Sequence, residues 1–229
     1  MAAMQRAATL AALTLVLLSP AAAQRRPEWP DTFQSRVEAV ALLQSLNAEI
    51  LASSSATRTL EAWCGEHHMA AEPAIVATRV TGVRKEPAAD QLERLGVHDG
   101  SEVLYRRVEL RCGAHVLSEA DNWYVPARLT AEMNALLETT NTPFGKVVQP
   151  LHPYRRTVSM LQLWTPLPRG WEQQTPAHIA SHPRQRLAVP REVFQHRAVL
   201  YSADHLPISE VVETYQGELL AFAREGGAQ

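Results

Sequence analysis

Three kinds of residue in this chain could, if brought together, hold and work on a small carboxylated molecule. Arg107 lies within residues 103–112, a run rich in strand-forming side chains, and a guanidinium presents a planar fork that takes a carboxylate bidentately. Pro143-Phe144-Gly145-Lys146 has the composition of a sharp glycine turn, and a backbone N–H at such a turn is a donor that can hold an oxygen. Glu210 stands two residues from both Ile208 and Val212, so a regular strand gives it apolar neighbours. A carboxyl group in such surroundings is costly to leave unpaired and is suited to proton transfer. Each has a plainer reading. Arg107 alternates with Tyr105, Glu109 and Arg111, as the solvent face of a strand would. Leu104, Arg106, Val108 and Leu110 form the more apolar set, and a register slip of one residue would present Arg106 instead. The Phe144-Gly145 pair could be a turn and nothing more, and Glu213 reads as a surface residue at a strand end.

These residues need elements to position them. Phe33, Val37, Val40, Leu43, Leu46 and Ile50 recur at intervals of three and four, which predicts an amphipathic helix capped by Asp31 and interrupted at Ser53-Ser54-Ser55. A shorter helix follows over residues 57–66, then a strand over 75–80 and a polar connection over 86–99. Two strand-like runs meet at Cys112-Gly113-Ala114 and the second closes on Tyr124-Val125-Pro126, a hairpin. Residues 130–139 read as a helix, 157–164 as a strand, and 197–201 with 206–212 as a second hairpin around Ser202-Ala203-Asp204-His205. Seven prolines between positions 150 and 190 rule out a continuous helix there and suggest a structured loop or lid. The expected class is α+β, a mostly antiparallel sheet with covering helices and a buried ligand pocket.

Residues 1–23 read as a signal peptide: Arg6 supplies the positive start, residues 7–18 an apolar run too short to span a bilayer, and Ala21-Ala22-Ala23 a small-residue cleavage site. The expected location is therefore periplasmic or secreted, with residues 24–229 forming a single domain that has no membrane segment. A formal net charge of −2 argues against nucleic-acid binding, which needs a basic field. Cys64 and Cys112 are the only cysteines. An oxidising compartment permits a disulfide between them, and two small buried hydrophobes are the alternative. Arg155-Arg156 could bind an anion or be a solvated pair. Glu119 and Asp121 read as a strand face paired with arginines. His67-His68, His178 and His182 have no supporting carboxylate at metal-site spacing, so no metal is expected.

Arg107 five residues before Cys112, the Val125-Pro126 close of the hairpin, Pro143-Phe144-Gly145-Lys146 and Pro207-Ile208-Ser209-Glu210, in this order, resemble the chorismate lyase family over about residues 55–215. That family removes pyruvate from chorismate to leave 4-hydroxybenzoate. The resemblance implies an arginine at Arg107 and turn amides at Phe144 and Gly145 against the ring carboxylate. It adds a further backbone amide at Ala56, and a carboxyl at Glu210 facing the enolpyruvyl ether. Aromatisation drives that elimination, so no cofactor is implied, and the partner would be a small carboxylated aromatic or cyclohexadiene ligand. The proline-rich stretch falls where the family has a ligand-covering lid. The same architecture could also serve as a non-catalytic binding module.

Overall fold

A computed structural model describes residues 29–222. In chain order these form β1 (Pro30–Asp31), α1 (Phe33–Ala52), α2 (Ala56–Glu66), β2 (Ile75–Arg79), α3 (Ala89–Leu95), β3 (Leu104–Cys112), β4 (His115–Tyr124), α4 (Ala131–Thr139), α5 (Phe144–Val147), β5 (Tyr154–Gln162), β6 (His182–Arg186), β7 (Glu192–Tyr201) and β8 (Pro207–Gln216). Six strands make one sheet in the order β2-β3-β4-β8-β7-β5, and β1 pairs with β6 apart from it. Every pairing is antiparallel. The class is thus α+β with a mostly antiparallel sheet.

Both expected hairpins are present. Gly113 turns β3 into β4 with φ of 54°, a left-handed conformation that glycine adopts at little cost. The second hairpin joins β7 to β8 and is longer than its apolar runs suggested, because the strands continue through Gln195, Glu213 and Thr214. The signal-peptide expectation falls on residues outside those described. No helix among the described residues is long and apolar enough to cross a membrane.

Helix α1 begins where the Thr32 hydroxyl accepts from the Ser35 amide at 3.1 Å, so Thr32, not Asp31, is the cap. Asp31 instead pairs with Arg36 at 2.7 Å. Ser53 ends α1, and Ser55 caps α2 by accepting from the Arg58 amide. Leu43, Leu46 and Ile50 of α1 and Leu60 and Trp63 of α2 join sheet residues Val108, Leu110, Ala198 and Tyr215 in the main core. A smaller cluster of Leu95, Val97, Val103, Trp123 and Val125 packs separately, with Leu92 of α3 and Val212 against it. The two clusters mark the two faces of the sheet. Cys64 and Cys112 form a disulfide with Cα atoms 6.3 Å apart, tying α2 to the end of β3.

The polar connection over 86–99 contains the helix α3, which the sequence pattern missed because seven residues are too few to show a clear period. The proline-rich stretch holds the strand expected over 157–164, found as β5 at the sheet edge, and adds the unexpected β6 against β1; the Pro166 carbonyl accepts from Arg36. Of its residues, His152, Pro153 and Arg155 line the cavity on the sheet, and those beyond Arg155 do not.

Candidate functional site

Side chains alternate across a strand, so pairing register decides which residues face the helices. Arg106 pairs with Asn122, and Asn122 with Val211. Even-numbered residues of β3 and β4 therefore share a face with odd-numbered residues of β8. On that face lies a cavity of about 410 Å³, within the range of small-molecule sites. Arg106, Val108, Asn122, Ser209, Glu213 and Arg155 form much of its floor. Its walls come from the first turn of α2, from α5 and from Gln149, His152 and Pro153.

Arg106 is 5 % exposed. Its Nη2 donates to the Thr142 carbonyl at 3.3 Å, while its Nε has no partner. No carboxylate among the described residues pairs with it. Burial, reinforced by the positive charge of Arg79, pulls its pKa down to about 10, which still leaves it charged at neutral pH. A buried cation without an anion is costly, and the cost falls when an anion arrives.

Opposite in charge, Glu213 sits beside a second buried arginine. Arg155 and Glu213, with side chains 4 % and 8 % exposed, meet at 2.5 Å through Nη1 and Oε2. The Tyr215 hydroxyl donates to the same Oε2 at 3.2 Å. Burial works to lower the Arg155 pKa, but Glu213 and Tyr215 together outweigh it and the net shift is upward. Burial, then the charge of Glu213, pushes the Tyr215 phenol well up, so it stays a donor. Across the strand from Glu213 is His196. Burial and then the Arg155 cation push its pKa down to about 4, which keeps it neutral, and its Nε2 lies 2.7 Å from Asn47 Oδ1 on α1. Arg155 and Tyr215 thus both hold Glu213, through the same Oε2. Arg155 Nε and Nη2, both Asn122 side-chain polar atoms and Ser209 Oγ have no partner.

Two helix starts border this floor. The amides of Ala56 and Thr57 in α2 and of Phe144 and Gly145 in α5 belong to first turns, which lack intrahelical acceptors. Ala56, Phe144 and Gly145 thus lie along the cavity wall. The Pro143-Phe144-Gly145-Lys146 segment opens a short helix, not a glycine turn. A Cβ on Gly145 would meet the Ser55 and Thr57 hydroxyls at an ordinary 3.7 Å, so the position does not demand glycine.

Arg107 and Glu210 require correction. They share a face, but it is the reverse one. Arg107 pairs with Glu119 at 2.5 Å and Asp121 at 3.3 Å. Asp121 also receives Lys85 at 2.5 Å. Glu210 is 0 % exposed and accepts a bidentate fork from Arg94 of α3, at 2.7 and 2.9 Å, with Arg197 at 3.5 Å. The one-residue slip that would present Arg106 is the arrangement found, and it moves the carboxyl position with it. Glu213, read as a surface residue, and Arg155, read as either an anion ligand or part of a solvated pair, both have buried side chains on the cavity floor. Two signals could have found them. Glu213 has Val211 and Tyr215 at i−2 and i+2, and two adjacent arginines on one strand must point to opposite faces. The histidines His67, His68, His178 and His182 do not gather, and no group of three or more metal-ligating side chains occurs among the described residues.

No family model matches the chain. Solved structures resemble it at the backbone level. PhnF from Mycobacterium smegmatis aligns with a TM-score of 0.47 at 16% identity, covering 88% of this chain and 93% of that one. The effector domain of the same PhnF gives 0.44 at 16% identity, covering 72% and 90%. The ligand-binding domain of a GntR-family transcriptional regulator from Bordetella bronchiseptica gives 0.39 at 14% identity, covering 62% and 82%. The uncharacterized protein y4mC of Sinorhizobium fredii (strain NBRC 101917 / NGR234) is 44% identical over 196 residues, spanning 85% of this chain and 82% of its own. At that identity and coverage the chain belongs to the same protein family as y4mC.

Proposed function

We propose that the protein binds a small carboxylated ring compound in the cavity between the sheet and the starts of α2 and α5. One observation carries this reading: Arg106 is a buried guanidinium on the cavity floor with no carboxylate partner. A ligand carboxylate at that point compensates the charge, and the first-turn amides of Ala56, Phe144 and Gly145 can take further oxygens. Apolar Val108, Leu110 and Val211 suit the flat body of a ring. Titration of the protein with benzoate by calorimetry tests it. Arg106→Gln should weaken binding by about 30-fold or more, roughly 2 kcal/mol, because a charge-assisted pair to a buried guanidinium is lost. Equal affinity in the variant would sink the reading.

A second reading adds turnover, and Glu213 is the observation that favours it. A carboxyl set in a cavity beside a carboxylate-binding arginine can manage a proton. Applied to chorismate, the ether bond to the enolpyruvyl group breaks, a ring proton leaves as the ring becomes aromatic, and the released enol takes up a proton to give pyruvate. Glu213 would handle the proton, and Arg155 would offset negative charge developing on the leaving oxygen. Incubation with chorismate should release 4-hydroxybenzoate, and Glu213→Gln should keep most of the binding while losing turnover. Binding without product in the wild type would assign a binding module instead. The signal-peptide composition of residues 1–23 supports an exported protein as part of this proposal, and an oxidising compartment would preserve a Cys64–Cys112 bridge.

A further inference from the structure

The cavity reaches beyond the single anion that Arg106 requires. Its charged lining consists of Arg58, Arg106, Lys146 and Arg155 against Glu61 and Glu213. Four cations face two carboxylates, an excess of two positive charges, in a chain whose formal net charge is −2. The excess is divided by depth. On the floor, Glu213 neutralises Arg155, and Arg106 is left over. At the wall, Lys146 is tied to Glu61 at 2.5 Å, and the same Glu61 oxygen accepts from the Ile75 amide at 3.0 Å. That leaves Arg58. It is exposed, donates through Nη2 to the Ser54 hydroxyl at 3.0 Å, and forms no ion pair among the described residues. It stands in the first turn of α2, two residues after Ala56, so the positive end of that helix adds to its field.

From this division of charge we infer that Arg58 is a specificity-determining residue that reads a second acidic group on the ligand, so that the site selects dianions with separated acids over monoanions. The inference rests on the carboxylate-binding reading of Arg106. The two cations should differ in behaviour. Arg106 is enclosed, so its contribution is little screened, whereas a contact to exposed Arg58 weakens as salt shortens the Debye length.

The test uses benzoate against terephthalate and isophthalate, titrated by calorimetry into the full chain and into the Arg58→Ala and Arg106→Gln variants. The tighter dicarboxylate should bind the wild type at least about tenfold more tightly than benzoate. That advantage should shrink several-fold between low and high salt. Arg58→Ala, a change on an exposed helix surface, should abolish the difference between the probes, and Arg106→Gln should weaken all of them. If neither dicarboxylate exceeds benzoate, or if the advantage survives in Arg58→Ala, the inference is overturned while the Arg106 anchor stands. If Arg106→Gln changes nothing, or no probe binds, the anchor itself fails and the inference falls with it.

Discussion

Removing the Cys64–Cys112 bridge, by reduction or in a Cys64→Ala/Cys112→Ala double variant, should lower folding stability by about 4 kcal/mol. The size follows from chain entropy. The bridge closes a loop with a sequence separation of 48, and cross-linking a loop of that order removes roughly 4 kcal/mol of unfolded-state freedom. Loss of buried sulfur contacts adds to it in the double variant, since both cysteines are fully buried. The bridge also fastens α2, whose first turn walls the cavity, to β3, which carries Arg106. Urea unfolding with and without reductant measures the effect. Coincident midpoints would show that the bridge contributes nothing.

Arg94→Ala should cost a comparable amount, about 3 to 5 kcal/mol, because it leaves the fully buried Glu210 carboxylate without its bidentate partner. The neighbouring Arg197 at 3.5 Å offsets part of this, which puts the expectation at the lower end. Glu210→Gln should be milder. It removes the buried charge, and the Arg94 side chain, 26% exposed, can turn to water or to Asp90 at 3.0 Å. Neither residue lines the cavity, so benzoate affinity of the folded variants should match the wild type. A larger loss from Glu210→Gln than from Arg94→Ala, or loss of binding in either, would contradict a purely structural role on the reverse face.

That pair illustrates what the sequence could and could not tell. Periodicity found both hairpins and α1 because their apolar residues repeat over many positions, and the α+β class followed. Sheet face was harder. In β3 both alternating sets carry an arginine, and in β8 both carry a glutamate, so hydrophobic pattern alone does not say which set is inside. Glu210 looked functional because a carboxyl among apolar neighbours seemed unpaired. Its partner Arg94 lies 116 residues away on a helix too short to be read from its period. Conversely, Glu213 looked exposed because the strand was cut short at Val212, whereas β8 runs on to Gln216. Ala56, Phe144 and Gly145 line the cavity through local helix starts, which do not depend on long-range register. Proline content likewise signals irregular structure and not where that structure packs, so it did not show that the stretch adds β6 against β1.

On the proposed reading, a ligand carboxylate sits on Arg106, on the face of the sheet opposite Arg107 and Glu210. A crystal structure of the protein with benzoate bound addresses it most directly. The carboxylate should lie within hydrogen-bonding distance of Arg106, beside the first-turn amides of α2 or α5, with the ring over Val108 and Val211. Benzoate found against Arg107 or elsewhere, with the Arg106 guanidinium still without an anion, would contradict the account.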